Sequence, residues 1–267
     1  MKIASLVAII CCALVMEGCV KDEGDNATGL VGGQTGTLVV RLTDAPGAYD
    51  AVNISVDSVR VHIESADSLN GWYTISRAPA QYNLLEYTNG RDTVIAEASI
   101  PAGYYSQIRL HIGGGSHIVK DGVTSSLEIP SGSQSGLKLN IQANVLPGVK
   151  YEIIFDFDAS RSIVVTGNRR YLLKPVIKVA STAVSGSLSG TVLPDTANAT
   201  AWAIAGTDTS TTLADTTGLF RFKYLAPAIY LLKIVPADVT YRDTVLTNIA
   251  VAAAKNTDVG MIHLQKK

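Results

Sequence analysis

Apolar and polar residues alternate along most of this chain, which is the pattern of β-strands that bury one face. In residues 107–112 the apolar side chains occupy even positions, while Gln107, Arg109 and His111 occupy the odd ones. Residues 151–158 alternate in the same way. No segment sustains the 3.6-residue period of an amphipathic helix. The pattern therefore predicts an all-β protein.

Turn signals divide these runs into short strands. Proline or glycine interrupts the pattern, and a tyrosine soon follows, in residues 100–105, 146–151 and 225–230. Proline cannot donate to a β-ladder and glycine permits positive φ, so each unit predicts a turn into a new strand. Asn70-Gly71 and Asn89-Gly90 predict hairpin turns, and a change of phase near residues 57–58 predicts a β-bulge or a tight bend.

The spacing of the runs predicts two tandem β-sandwich domains, residues 36–181 and 184–267, joined by a Ser/Gly-rich stretch. For the first domain, a partly closed barrel is the alternative. The last run of that domain, Tyr171 to Val179, contains Pro175. Proline in such a run favours an edge strand or a bulge.

Residues 1–18 have the pattern of a lipoprotein signal peptide. Lys2 precedes an apolar run over residues 3–16, which is too short to span a bilayer. The segment ending at Cys19 resembles a bacterial lipobox, and Cys19 is the last cysteine of the chain. A lone terminal cysteine in an exported protein favours lipidation at Cys19, and an ordinary secretory signal is the alternative.

Residues 19–35 are predicted to form a flexible tether. Its short charged beginning also resembles the surface-export signal of Bacteroidota lipoproteins. We therefore expect a lipid-anchored protein of the outer membrane that faces the cell surface or the periplasm. The net charge of −1 and the absence of a basic run give no electrostatic basis for binding nucleic acid.

Four separated motifs resemble one known family. They are Leu42-Thr43-Asp44-Ala45-Pro46, Pro101-Ala102-Gly103-Tyr104, Phe155-Asp156-Phe157-Asp158 and Leu173-Lys174-Pro175-Val176-Ile177. In this order they are similar to the bacterial lipoprotein domain called domain of unknown function 4382, over about residues 35–180. The resemblance implies an exported β-rich domain, often lipid-anchored, and it implies no activity.

The second domain resembles carboxypeptidase-regulatory-like domains, which share a prealbumin-like or carbohydrate-binding-like sandwich fold. The similarity rests on residues 190–192, 215–220, 225–230 and 258–260, with Ala228 at a position that is usually glycine. That fold group includes sugar binders and spacers, and the fold alone does not choose between them.

Acidic residues on one predicted strand suggest a cation site. Asp156 and Asp158 share a face, and oxygen ligands of this kind suit Ca²⁺. The first alternative is a solvated outer face. The second is pairing with Arg109 and His111 on a neighbouring strand, which we favour because no Asp/Gly-rich ligand loop is present. We predict no metal and no cofactor, since His111 and His117 are too few ligands for zinc.

Trp72 and Tyr73 are the candidate ligand-binding residues. Trp72 alternates with Tyr73 and Ile75, so it lies outside if those two face the core. An exposed indole favours a sugar ring or a protein groove as its partner. The alternative is a shifted register that buries Trp72. Trp202 shares a face with Ile204, opposite small alanines, and is predicted to be core.

The chain contains no nucleophile elbow, metalloprotease pair or phosphate-binding loop, so we predict a non-catalytic protein. The first hypothesis is a surface lipoprotein that recognises a glycan or a surface protein. The second is an assembly component whose sheet edge, Tyr171 to Val179, pairs with another chain. An uncharacterised hydrolase is a more distant alternative.

Overall fold

The architecture is known from a computed structural model that describes residues 34–65, 70–75, 79–130, 136–168 and 170–267. Strands dominate it, and the predicted all-β class with two sandwiches is confirmed. The predicted signal peptide, Cys19 and most of the tether lie outside the described residues. Within those residues, none of the helices combines the length and apolar character required to cross a bilayer.

The first sandwich consists of two sheets around one apolar core. Its strands are β1 (Thr35–Ala45), β2 (Ala51–Ile63), β3 (Trp72–Thr74), β4 (Ala80–Asn83), β5 (Thr93–Pro101), β6 (Gly103–Lys120), β7 (Val123–Glu128), β8 (Leu137–Val145), β9 (Lys150–Asp158), β10 (Ile163–Val165), β11 (Tyr171–Leu173) and β12 (Ile177–Ser181). Sheet I has the order β12-β9-β1-β5. Sheet II has the order β10-β11-β7-β6-β2-β3, with β4 also paired to β2 and β8 to β6. Leu38 and Phe155 of sheet I meet Ile54 and Ile108 of sheet II, and all four are fully buried.

The second sandwich has a separate core. Its strands are β13 (Gly186–Leu193), β14 (Thr200–Ala205), β15 (Asp208–Leu213), β16 (Leu219–Leu225), β17 (Ala228–Val235), β18 (Thr244–Val251) and β19 (Asn256–His263). Sheet III has the order β16-β13-β19 and sheet IV the order β15-β14-β17-β18. Phe220 of sheet III and Leu232 of sheet IV lie fully buried between them. Residues 33–267 together form one compact unit, so the domain boundaries of the sequence analysis remain predictions.

The turn signals mark real changes of direction. A register shift between Val56 and Ser58 places the expected bulge inside one long strand, β2, rather than between two strands. Asn89 and Gly90 both have positive φ, 53° and 72°, as the turn requires. Pro175 lies between β11 and β12, where the chain leaves sheet II for sheet I.

This position of Pro175 divides the predicted edge strand over Tyr171 to Val179 into two strands, of which only the second lies at a sheet edge. The run is two strands in two sheets, and β11 is flanked on both sides, by β10 and β7. β12 does end sheet I, but each of its residues is only partly exposed. The Lys178 ammonium of β12 reaches the Thr209 carbonyl oxygen of the second sandwich at 2.9 Å. β12 is therefore an edge strand of sheet I that lies beside the second sandwich.

Buried polar side chains close the ends of several strands. A carboxylate oxygen of buried Asp44 accepts a hydrogen bond from the Ala159 amide at 2.9 Å, where the short helix α1 (Ala159–Ser162) begins. The hydroxyl oxygen of Ser162, which is fully buried, accepts one from the Val176 amide at 2.9 Å. Such bonds satisfy backbone groups where the ladders stop.

Candidate ligand-binding surface

The outer surface of sheet II carries two rows of polar and aromatic side chains. Residues opposite each other on adjacent strands share a face of the sheet. The pairings across β3, β2, β6 and β8 therefore define two sets. The first, the cationic row, consists of Thr74, Arg60, Arg109 and Lys138. The second, the amide–aromatic row, consists of Trp72, His62, Gln107 and Asn140.

Trp72 is the centre of this surface. Its partly exposed indole ring lies 4.4 Å from the Arg109 guanidinium carbon and 5.6 Å from that of Arg60, both measured to the ring centroid. The His62 ring packs on it at 5.0 Å between centroids. Both guanidiniums lie within the range of cation–π attraction. Trp72 therefore lies on the outer face, the first of the two alternatives.

Tyr73 points the other way. It packs on the core of the first sandwich, with its ring 6.4 Å from that of Tyr105 and the two planes at 70°. Successive residues of a strand face opposite sides. Tyr73 therefore does not belong to the ligand-binding surface, which corrects its selection as a candidate beside Trp72.

Apart from the Trp72 ring, the two arginines of the cationic row have no polar partner among the residues that the structure describes. Arg60 and Arg109 are directly opposite each other, and like charges in that position destabilise a sheet. Neither has an ion pair or a side-chain hydrogen bond within the described part of the chain, and each Nε is buried without an acceptor. Burying a donor without an acceptor costs about 1–3 kcal/mol. The surface thus holds two cations that form no ion pair with any residue that the structure describes.

His111 borders the row, and its Nε2 atom is likewise buried without a partner among the described residues. Burial lowers the pKa of His111, and the charges of Arg60 and Arg109 lower it further, while Asp57 raises it. The net direction is downward, so His111 is neutral at pH 7. The lasting positive charge of the surface therefore comes from Arg60, Arg109 and Lys138.

The amide–aromatic row continues into a cleft. Gln107 and Asn140 line a cavity of about 1150 Å³, together with Tyr104 and Tyr151. The side of the cleft formed by the second sandwich includes Tyr224 and Pro227. A ligand on the outer surface of sheet II can therefore extend toward the second sandwich.

A family model described as Domain of unknown function (DUF4382) matches residues 35–175. The chain belongs to this family. The DUF4382 match contains every residue of the two rows, so the candidate surface is a feature of that part of the chain. It ends at Pro175, before β12 and the second sandwich.

Comparisons with other proteins add little to the DUF4382 assignment. No curated protein matches the chain. One similar structure, the type II cohesin–X-dockerin complex of Acetivibrio cellulolyticus, is 22% identical with a TM-score of 0.25, and the match covers 30% of this chain and 58% of that chain. The minor pilin GBS52 of Streptococcus agalactiae is 10% identical with a TM-score of 0.23, covering 87% and 96%.

The shaft pilin of Lactobacillus rhamnosus GG is 8% identical with a TM-score of 0.23, covering 87% and 98% of the two chains. At TM-scores this low, these alignments carry no argument about the fold or the function of this DUF4382 protein.

The acidic candidates lie elsewhere, which corrects the favoured pairing. Asp156 and Asp158 are on β9 of sheet I, whereas Arg109 and His111 are on β6 of sheet II. The two strands belong to different sheets, so cross-strand pairs between them are not formed. The acids instead belong to the surface of sheet I that meets the second sandwich.

Each of the two acids has its own local role. Asp158 caps α1 by accepting a hydrogen bond from the Arg161 amide at 3.0 Å. Asp156 is opposite Lys178 of β12. Burial raises the pKa of Asp156 to about 6, with Lys178 opposing the change and Asp158 adding to it. Among the residues that the structure describes, no three His, Cys, Asp or Glu side chains converge to hold a metal ion.

Trp202 is not core, contrary to the sequence prediction. Its side chain is 38% exposed, while Ala201 and Ala203 on the opposite face are buried. Close packing in the second sandwich uses the small alanines, so the indole is left outside. Trp202 lines a cleft of about 330 Å³ between the sandwiches, which Asp156 and Lys178 also line.

Sequence reasoning missed most of the cationic row. Arg109 was a candidate, but Arg60 and Lys138 were not, although each occupies the polar phase of its own strand. The alternation shows which residues face outward. It does not show which outward residues meet across strands, because β2, β6 and β8 are distant in sequence.

Proposed function

We propose that this protein is a non-catalytic lipoprotein of the cell envelope that recognises a ligand through the outer surface of sheet II. The observation that carries the proposal is the pair of guanidiniums held against a partly exposed indole, each with an Nε that has no acceptor among the described residues. Exposed aromatic and arginine side chains are the groups that most often dominate recognition surfaces. A glycan or a surface protein is the expected type of ligand.

The chemistry of the surface suits binding rather than turnover. A guanidinium keeps its charge at every physiological pH, and an indole does not titrate. General acid–base catalysis needs groups that exchange a proton near the working pH. The central groups of the surface, Arg60, Arg109 and Trp72, therefore support recognition and offer no route for proton transfer.

The cell-envelope location rests on the sequence of the first 35 residues. The apolar leader and Cys19 support lipidation, since acyl chains can hold a protein at a membrane without a transmembrane helix. Residues 20–34 would then separate the acylated cysteine from β1.

The test uses the full chain purified in detergent. We expect it to bind at least one ligand on a glycan array or in a pull-down from envelope extracts, and Trp72→Ala to weaken that binding at least tenfold. Trp202→Ala, which removes the other indole, is the matched control and should bind like the wild type. We also expect palmitate labelling in cells that Cys19→Ser abolishes. No ligand in either assay, or equal binding by Trp72→Ala, would refute the recognition role.

A further inference from the structure

We infer that the ligand of this surface is an acidic polysaccharide whose oxyanion groups, carboxylate or sulfate, bind between Arg60 and Arg109. This inference rests on the proposed recognition function and specifies its ligand class. It commits to a saccharide chain rather than to an acidic protein.

The positive charge of the surface favours an anionic ligand. Arg60 and Arg109 face each other across β2 and β6, and Lys138 of β8 follows Arg109 in the same row. Asp57 of β2 and Glu64, the residue after β2, form no ion pair with either arginine in the described structure. A bound oxyanion would remove the repulsion and provide acceptors for the unpartnered donors. Guanidinium groups suit carboxylate and sulfate because their donors match two oxygens at once.

The position of the two arginines on inner strands argues against an acidic peptide added as an extra strand. Such peptides pair with an exposed sheet edge. β2 and β6 are inner strands: β2 is paired with β6, β3 and β4, and β6 with β2, β7 and β8. Their backbone donors and acceptors are therefore already used, so a ligand over Arg60 and Arg109 must be held by side chains. Of the four strands that carry the two rows, only the edge strands β3 and β8 could pair with an added strand.

The amide–aromatic row offers what a saccharide needs beside its acid group. Gln107 and Asn140 each present a donor and an acceptor, which suit sugar hydroxyls. Trp72 adds an apolar surface at the other end of the row. Four adjacent strands span about 14 Å across the row. An extended chain of sugars can lie along it with its acidic groups toward the cationic row.

The size of the adjoining cleft favours a polymer. Gln107 and Asn140 belong both to the row and to the cleft of about 1150 Å³, and pockets for small ligands are usually about 300–1,000 Å³. The exposed ring of Tyr104 lies in the same cleft. A linear saccharide that lies along the amide–aromatic row can continue into this cleft beyond the edge strand β8.

The experiment measures binding of the full chain in detergent to polymers of defined charge. The carboxylated probes are polygalacturonate, alginate and hyaluronate, and the sulfated probe is dextran sulfate. The neutral probes are dextran and methyl-esterified polygalacturonate, and poly-L-glutamate represents an acidic protein. We expect binding to at least one acidic polysaccharide that is at least tenfold tighter than to neutral polymers and to poly-L-glutamate. Whether the carboxylated or the sulfated probes bind more tightly identifies the acidic group of the ligand.

Variants connect the binding to the row. Arg60→Gln and Arg109→Gln should each weaken binding to the preferred polymer at least tenfold and make it less sensitive to salt. Arg161→Gln, an exposed arginine of α1 outside the two rows, should bind like the wild type. Each row variant relieves a like-charge contact but also loses a cation–π contact with Trp72, so its melting temperature should stay close to that of the wild type. Loss of binding would then reflect the site and not the fold.

Other outcomes overturn the inference. Preference for poly-L-glutamate would make the ligand an acidic protein. Binding to a neutral glycan that both arginine variants retain would refute the anionic ligand while leaving the recognition function intact. Binding to none of the acidic polysaccharides also refutes it, and whether recognition survives then depends on the array and pull-down.

Discussion

Two carboxylates, Asp92 just before β5 and Asp156 on β9, show how environment sets charge in this molecule. Burial opposes the ionisation of Asp92, but hydrogen bonds from Lys223, Tyr224 and Arg41 outweigh it, and the pKa of Asp92 is lowered. Asp156 has a pKa raised to about 6 because burial dominates. The two acids therefore affect stability in opposite directions as the pH changes.

Replacing Asp156 should stabilise the protein at neutral pH. The folded state of the wild type holds its proton up to about pH 6, whereas the unfolded chain releases it near pH 4. Between these pH values the unfolded chain binds fewer protons than the folded protein, so the free energy of unfolding falls as the pH rises. Asp156→Asn removes this penalty, and we expect it to raise the free energy of unfolding at pH 8 by up to about 3 kcal/mol.

The comparison is made by urea unfolding at pH 4 and pH 8. At pH 4 the wild-type carboxyl is protonated in the folded state, so the two proteins should differ little. Asp208→Asn removes an exposed acid that pairs with Lys178, and it serves as the control without a comparable gain. Equal stability of Asp156→Asn and the wild type at pH 8 would mean that Asp156 is well solvated.

At the scale of the element, the repeated turn unit serves to anchor a tyrosine. The buried Tyr105 hydroxyl donates to the Pro101 carbonyl oxygen, four residues earlier, at 2.8 Å. In the second sandwich, the Tyr230 hydroxyl donates to the Ala226 carbonyl oxygen, also four residues earlier, at 2.9 Å. Both bonds fix a turn to the strand that follows it. In the third unit the Tyr151 hydroxyl instead reaches the Gln142 carbonyl oxygen at 3.0 Å.

Removing one of these hydroxyls should loosen its turn. We expect Tyr105→Phe to lower the free energy of unfolding by about 1 kcal/mol, because the Pro101 carbonyl oxygen loses its donor while the ring still fills the core. Tyr104→Phe is the matched control, since Tyr104 is 40% exposed and faces solvent. Thermal and urea unfolding measure the stability of both variants. A loss of equal size in Tyr104→Phe would show that the bond to Pro101 is not the cause.

The elements were largely predictable, because alternation and turn chemistry are local. The phases of residues 107–112 and 151–158, the bulge in β2 and the turn at Asn89-Gly90 all follow from neighbours in sequence. The pairing of Arg60 with Arg109 depends on which strands become adjacent, which local patterns do not contain. The prediction that Trp202 is buried was wrong for a related reason. Both faces of β14 are apolar, so alternation did not show whether the indole or the two alanines face the core.

At the scale of the whole molecule, the two sandwiches are joined by a polar junction. The Asn89 side chain completes the edge of β16, accepting from the Arg221 amide at 2.7 Å and donating to the Leu219 carbonyl oxygen at 3.1 Å. The turn residue is thus also an interface residue. The sequence motif Asn-Gly indicated the turn alone, since its second role requires a strand more than 100 residues away.

Asp92 is the centre of the junction. Its carboxylate accepts from the Arg41 guanidinium at 2.7 Å within the first sandwich. From the second sandwich it accepts from the Lys223 ammonium at 3.0 Å and the Tyr224 hydroxyl at 2.9 Å. Its side chain is only 9% exposed, so these bonds are shielded from solvent. Tyr224 holds a positive φ of 61° where it makes this contact, a conformation that bulky residues seldom adopt without a compensating interaction.

Replacing Asp92 should uncouple the two sandwiches. Asp92→Ala leaves Arg41, Lys223 and Tyr224 without their shared acceptor, and removing one member of a buried charged group costs about 3–5 kcal/mol. Each sandwich has its own core, so this loss should fall on the junction. We expect one urea transition in the wild type and two in Asp92→Ala, with faster proteolysis between β12 and β13.

The control is Asp243→Ala, which breaks the exposed pair with Lys233. It should keep one transition, because such pairs contribute about 0–1 kcal/mol. A single transition shifted as a whole in Asp92→Ala would instead mean that the packing of the two sandwiches, not this carboxylate, couples them.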